Sequence, residues 1–130
     1  MARIEHIALW ARDVEGLAAF YAEHFGANVG PRYENRAKGF ASRFLRFEDG
    51  ARIEVMSSTQ LELVPSAPGA QRIGFVHVAI SLGSEPAVDA LTQRLRDSGV
   101  PVLDGPRRTG DGYYESVVLD PEGNRIEITA

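Results

Sequence analysis

The 130-residue sequence contains no cysteine, which excludes disulfide scaffolds, thiolate zinc sites, cysteine nucleophiles and Cys-ligated clusters. Any metal it holds must be bound by imidazole, carboxylate or water. There is no large excess of either charge: 14 Lys and Arg stand against 18 Asp and Glu, a formal net charge of -4. Neither a basic nucleic-acid-binding surface nor a polybasic membrane patch is expected from such a balance. No window approaches the 18 apolar residues of a membrane span, and the opening MARIEHIALW lacks the basic-then-apolar pattern of a secretory signal. The expectation is a cytoplasmic protein that acts on a small molecule, with no nucleic acid or membrane among its partners. With 44% hydrophobic residues, a packed core is within reach. The length suits one domain over residues 1–130, or two half-domains that share a core.

What is present is a repeat. Ile4-Glu5-His6-Ile7-Ala8-Leu9 is echoed by Phe75-Val76-His77-Val78-Ala79-Ile80, and Gly50-Ala51-Arg52-Ile53-Glu54-Val55 by Gly123-Asn124-Arg125-Ile126-Glu127-Ile128. His6 precedes Glu54 by 48 residues, His77 precedes Glu127 by 50, and the offset between copies stays at 71 to 73. The halves fall at about 1–64 and 72–130. Between them, Ser57 to Gln71 carries Ser57-Ser58-Thr59 and Pro65-Ser66-Ala67-Pro68-Gly69, a turn-forming composition.

Both halves run in the same order. Val14, Leu17, Ala18, Tyr21 and Phe25 keep helical spacing between Asp13, a candidate N-cap, and Gly26, a stop signal. Val88, Leu91, Leu95 and Val100 repeat that spacing behind Ser84 and Pro86, with Gly99 at the end. Extended segments follow each helix: Phe40 to Phe47 and Arg52 to Met56, then Tyr113 to Leu119 and Arg125 to Thr129. The turns Asp49-Gly50 and Pro121-Glu122-Gly123-Asn124 close each pair into a hairpin. Each half is therefore one strand, one helix, then two or three strands.

Alternation along a strand puts Ile4, His6, Ala8 and Trp10 on one face, and Arg52 with Glu54 and Arg125 with Glu127 on the equivalent faces. The opposite faces are aliphatic and are expected to lie under the helices. His6, Glu54, His77 and Glu127 then project into one concave, partly wet cup. Two imidazoles and two carboxylates suit a divalent Ni, Co, Zn, Mn or Fe(II) ion, with water completing the set. Taken singly, each is an ordinary core histidine or a solvated hairpin charge. Packing preserves an apolar pattern through a duplication, but it gives no reason to keep His and Glu in phase.

From IEHIALWARDVEGLAAFY to DPEGNRIEIT, the chain resembles the vicinal oxygen chelate superfamily, which includes glyoxalase I, extradiol dioxygenases, methylmalonyl-CoA epimerase and the fosfomycin- and bleomycin-resistance proteins. The resemblance implies an α+β fold of two tandem βαβββ modules forming an incomplete barrel around one metal, with His6, Glu54, His77 and Glu127 as ligands. The intact His/Glu/His/Glu set is most similar to that of bacterial glyoxalase I, which isomerises the hemithioacetal of methylglyoxal and glutathione. In that chemistry a proton leaves one carbon and returns to its neighbour through an enediolate. Glu127 is the first choice for the proton-transferring base and Glu54 the second.

Arg32, Asn35, Arg36 and Arg43, with Arg107 and Arg108, are candidates to bind an anionic substrate. One of Tyr113 and Tyr114 faces the cup, with Tyr114 taken as the candidate, and Trp10 and Phe47 are candidate apolar walls. His24 has no counterpart in the second half and is read as surface or capping. An extradiol-type dioxygenase, an acyl-CoA epimerase and a non-catalytic drug- or metabolite-binding protein are the alternatives. The resemblance also implies a homodimer, with modules of two chains as candidates to complete each other's cups.

Overall fold

The computed structural model describes all residues from Met1 to Ala130. The chain divides into two compact units, Met1–Val64 and Pro65–Ala130. The N-terminal unit contains β1 (His6–Trp10), α1 (Val14–Phe25), β2 (Asn28–Val29), β3 (Tyr33–Asn35), a 3-10 turn (Arg36–Lys38), β4 (Phe40–Arg46) and β5 (Arg52–Ser58). Its sheet runs β1-β5-β4-β2, with β3 also paired to β4. The C-terminal unit contains β6 (His77–Ser81), α2 (Glu85–Asp97), β7 (Val102–Arg108), β8 (Tyr114–Leu119) and β9 (Arg125–Thr129), ordered β6-β9-β8-β7. In both units the first strand lies parallel to the last, the other pairs are antiparallel, and the sheet does not close on itself.

Local chemistry sets the helix ends. Asp13 accepts a 2.9 Å hydrogen bond from the Gly16 amide, and Gly26 takes a left-handed φ of 68° that stops α1. Ser84 caps α2 through the Ala87 amide, with Pro86 in the first turn where its missing N–H is harmless. One face of each sheet is covered by its helix. Leu45, Ile53 and Val55 are buried in the unit that holds Leu17 and Tyr21, and Val118, Ile126 and Ile128 in the unit that holds Val88, Leu91 and Leu95. Each such side chain contributes roughly 1.5–3 kcal/mol through the apolar surface it removes from water. A buried hydroxyl pair, Thr92 Oγ1 and Ser116 Oγ at 2.7 Å, joins α2 to β8, and the same Thr92 hydroxyl lies 2.7 Å from the Val88 carbonyl.

Several elements differ from the sequence expectation. β1 starts at His6, since Ile4 is unpaired and exposed. β8 starts at Tyr114, because the Tyr113 carbonyl is used by the Thr109 amide in the preceding turn. Ile7, Leu9, Val78 and Ile80 are only half-buried and Val76 is exposed, because β1 and β6 are edge strands, covered less fully than the central ones. β2, β3 and β7 were not marked by periodicity: the first two have two and three residues, and register shifts around Asp104 interrupt the alternation of β7. No helix is long and apolar enough to cross a membrane.

Candidate functional site: two matched imidazole–carboxylate pairs

The parallel pairing of first and last strand places histidine and glutamate identically in the two units. His6 is opposite Arg52 and Ala8 opposite Glu54; His77 is opposite Arg125 and Ala79 opposite Glu127. The alanine beside each glutamate leaves room for the carboxylate to turn toward the imidazole two residues away. His77 Nε2 stands 3.3 Å from Glu127 Oε2, and His6 Nε2 3.9 Å from Glu54 Oε1. Both carboxylate side chains are 18% exposed, whereas the imidazoles are about twice as open.

These donors fit a divalent metal. Nitrogen and oxygen ligands at roughly 2.0–2.2 Å from one ion lie about 3.0–3.4 Å apart at octahedral to tetrahedral angles. The His77–Glu127 pair already has that separation, and His6–Glu54 needs a few tenths of an ångström of side-chain rotation. The donors come as two pairs, one in each unit; no group of three or more His, Asp or Glu side chains is gathered in ligating geometry.

The neighbours of the pairs are unequal. In the N-terminal unit the Glu5 carboxylate contacts His6 Nδ1 and accepts from the Arg52 guanidinium. Such a contact fixes the ring and leaves Nε2 free, as a carboxylate behind a metal-binding histidine does. The His6 contact comes first and the Arg52 bond further holds the Glu5 carboxyl below its ordinary pKa. Arg52 lies over the Phe44 ring at 4.1 Å, and Phe44 meets the His6 ring edge-on. In the C-terminal unit Val76 stands where Glu5 stands, so His77 has no such buttress. There, Arg125 instead donates to the Gly69 carbonyl, while Arg125 Nε and Thr129 Oγ1 are buried without a hydrogen-bond partner.

Glu115 is a member of this surface that repeat analysis missed. It is opposite Thr129 on β8, two residues along from Val117, which is opposite Glu127. Burial, a hydrogen bond with Glu127 and the repulsion of the Glu127 charge push the Glu115 carboxyl up to about 7. The matching position in the first half is Ser42, opposite Met56, so comparison of the halves returned nothing there. Counting alternate residues back from Val117 would have found it.

Most of the expected substrate-binding residues lie elsewhere. Arg43 is on the helix-covered face of β4, where Nε donates to Glu15 of α1 and Nη1 to the Gly30 carbonyl at 2.7 Å. Arg32 donates to Glu15 and Glu34, each at 2.8 Å. Bonds from Arg43 and then Arg32 hold the Glu15 carboxyl below its ordinary pKa, although burial opposes them. Arg108 pairs with Glu85 at the start of α2, and the Tyr114 hydroxyl donates to Asp89 on the same helix. Strand parity is the reason: Arg43, Arg108 and Tyr114 have the opposite phase to Glu54 and Glu127. Arg107 is bonded to Asp104, and the exposed Arg36 to Glu34. Asn35 caps the 3-10 turn by accepting from the Lys38 amide. Trp10 shares the phase of His6, is half exposed and meets Phe40 edge-on at 6.3 Å. His24, in the last turn of α1, packs against Phe20.

The model of the Glyoxalase/Bleomycin resistance protein/Dioxygenase superfamily matches residues 3–128, and the chain belongs to that superfamily. Among relatives, the uncharacterized protein YqjT of Bacillus subtilis (strain 168) is 25% identical over 130 residues, which is 98% of each chain. The structure of a possible glyoxalase from Bacillus cereus is 26% identical with a TM-score of 0.70, over 98% of this chain and 97% of that one. The trypanothione-dependent glyoxalase I of Leishmania major shares the fold, with a TM-score of 0.76 at 20% identity over 99% of this chain and 86% of that one.

Proposed function

We propose that this protein is a metal-dependent lyase or isomerase of glyoxalase type, acting on a small substrate with oxygens on adjacent carbons, such as a hemithioacetal. The observation that carries this reading is the matched placement of His6 with Glu54 and His77 with Glu127, each with a carboxylate turned toward its imidazole. In this reading the four residues hold one divalent ion, of the Ni, Co, Zn, Mn or Fe(II) group. When bound, such an ion supplies Lewis acidity that stabilises negative charge developing on substrate oxygen.

The chain's own groups do the rest. Glu127 takes the proton from the carbon next to the carbonyl and returns it to the neighbouring carbon. It is favoured over Glu54 because Glu115, on the neighbouring strand and in the same phase, puts a second carboxyl at hand to hold or pass a proton. Glu5 holds the His6 ring from behind, and the exposed Ala8 and Ala79 each leave room beside the neighbouring glutamate.

Elemental analysis and calorimetry with the five metals test the metal part. About one divalent ion per chain is expected, with affinity that drops in His6→Ala and His77→Ala. Absence of binding to all five would reject it. Metal-loaded protein is then assayed with hemithioacetals, catechols and acyl-CoAs. Oxygen-dependent loss of a catechol would select a dioxygenase, epimerisation of an acyl-CoA an epimerase, and binding without turnover a sequestering protein. The working assembly in this proposal is a cytoplasmic homodimer.

A further inference from the structure

Outside the two pairs, one recess of the N-terminal unit has an unspent charge. The segment before β1 and the β4–β5 hairpin enclose an open cleft of ≈ 500 Å³, lined by Arg3, Glu5, Arg46, Asp49, Gly50 and Arg52 among others. Volumes of this order suit a small molecule. Three guanidinium groups face two carboxylates, and both carboxylates are already engaged. Glu5 is bound to His6 and Arg52, and Asp49 accepts from the Gly50 amide at 2.7 Å. Arg52 is also pinned over Phe44. The side chains of Arg3 and Arg46 make no ion pair or hydrogen bond, and both residues are exposed. The free guanidiniums of the cleft are therefore these two, one in the chain before β1 and one at the end of β4.

We propose that Arg3 and Arg46 bind the terminal oxyanion, carboxylate or phosphate, of a small organic anion that occupies this cleft. An arginine presents a planar fork that matches both groups and stays charged throughout the working pH range. The small excess of positive charge in the cleft suits one terminal oxyanion and not a polyanion, and the net charge of -4 on the whole chain disfavours nucleic acid. The cleft adjoins the candidate site through Glu5 and Arg52, since Glu5 contacts His6 and Arg52 is the strand partner of His6. The proposal deepens the functional reading and rests on it in one respect: it makes the substrate handled beside His6 and Glu54 an anion whose tail lies away from its reacting carbons. None of the arginines expected from sequence to bind an anion lines this cleft, and Arg32, Arg43 and Arg108 are bonded to glutamates instead.

The test uses the metal-free 130-residue chain, so that its outcome is separate from that of the metal reading. Amide NMR shifts are followed at fixed ionic strength during titration with succinate and, separately, with inorganic phosphate. Saturable shifts at Arg3, Arg46, Gly50 and Ala51 are expected with at least one probe, and the tighter probe identifies the group. The double variant Arg3→Ala/Arg46→Ala is expected to weaken that binding by roughly tenfold or more, with Arg94→Ala, on α2, leaving it unchanged. Metal affinity is expected to be the same in all three proteins. No saturable shift with either probe, or equal affinity in the double variant, overturns the oxyanion site. Loss of metal binding with oxyanion binding intact overturns only the metal reading.

Discussion

His77 Nε2 and Glu127 Oε2 are 3.3 Å apart across the parallel pair β6–β9, at the register that His6 and Glu54 occupy across β1–β5. In the proposed reading Glu127 is both the base and a metal ligand, and such a group does not tolerate losing its charge. Glu127→Gln is expected to lower kcat by about a hundredfold or more while leaving the circular dichroism spectrum unchanged. Steady-state assays with a hemithioacetal would measure this. Wild-type turnover by the variant would remove Glu127 from its assigned role.

Glu115 gives a pH dependence with a definite sign. Its carboxyl titrates at about 7 in the folded chain, raised first by burial and then by Glu127. A folded value above the unfolded one means that ionising Glu115 costs stability. The cost is absent below the unfolded value near 4.5 and grows until the pH passes about 7. In metal-free protein, Glu115→Gln is therefore expected to gain stability over the wild type at pH 8, by up to about 3 kcal/mol, and to gain little at pH 4. Denaturant melts at both pH values measure the difference, and an equal effect at both would contradict it.

Thr92 and Ser116 provide a test of packing. Thr92→Val keeps the shape but removes the bonds to the Val88 carbonyl and to Ser116 Oγ, which is then left in the core without that partner. A loss of about 1–3 kcal/mol is expected. Chemical denaturation reads it directly, and a neutral result would mean that Ser116 finds another partner.

Arg43 and Arg108 were expected from sequence to meet the substrate, and both are bonded to glutamates of the helices. Arg43→Ala and Arg108→Ala are expected to leave KM unchanged and to lower stability by about 1 kcal/mol or less for the ion pairs. Arg43 has the larger effect because it also loses its bond to the Gly30 carbonyl. A severalfold rise in KM with unaltered melting would return them to the substrate site.

How much of this was legible follows from which signals are local. α1 was readable to the residue because Asp13 and Gly26 are chemical end-marks, and β5 and β9 because buried and open residues alternate along them. The His–Glu pairs were readable because duplication kept them in phase. Glu115 escaped for the same reason, its counterpart being Ser42. The destinations of Arg43, Arg108 and Tyr114 depended on strand parity, and that of Arg46 on the cleft beside the β4–β5 hairpin, where the repeat has nothing to say.

The unequal neighbours of the two histidines have a practical consequence. A chain that holds His6 against Glu5 and leaves His77 beside Val76 carries its own internal control: one imidazole with an external brace, one without, under identical solvent and concentration. Ring-nitrogen NMR of a single sample would compare a ring held by Glu5 at Nδ1, that of His6, with one that has only the Glu127 carboxylate, 3.3 Å from Nε2 of His77. The effect of a brace on an imidazole can thus be read within one molecule, without a mutant for comparison.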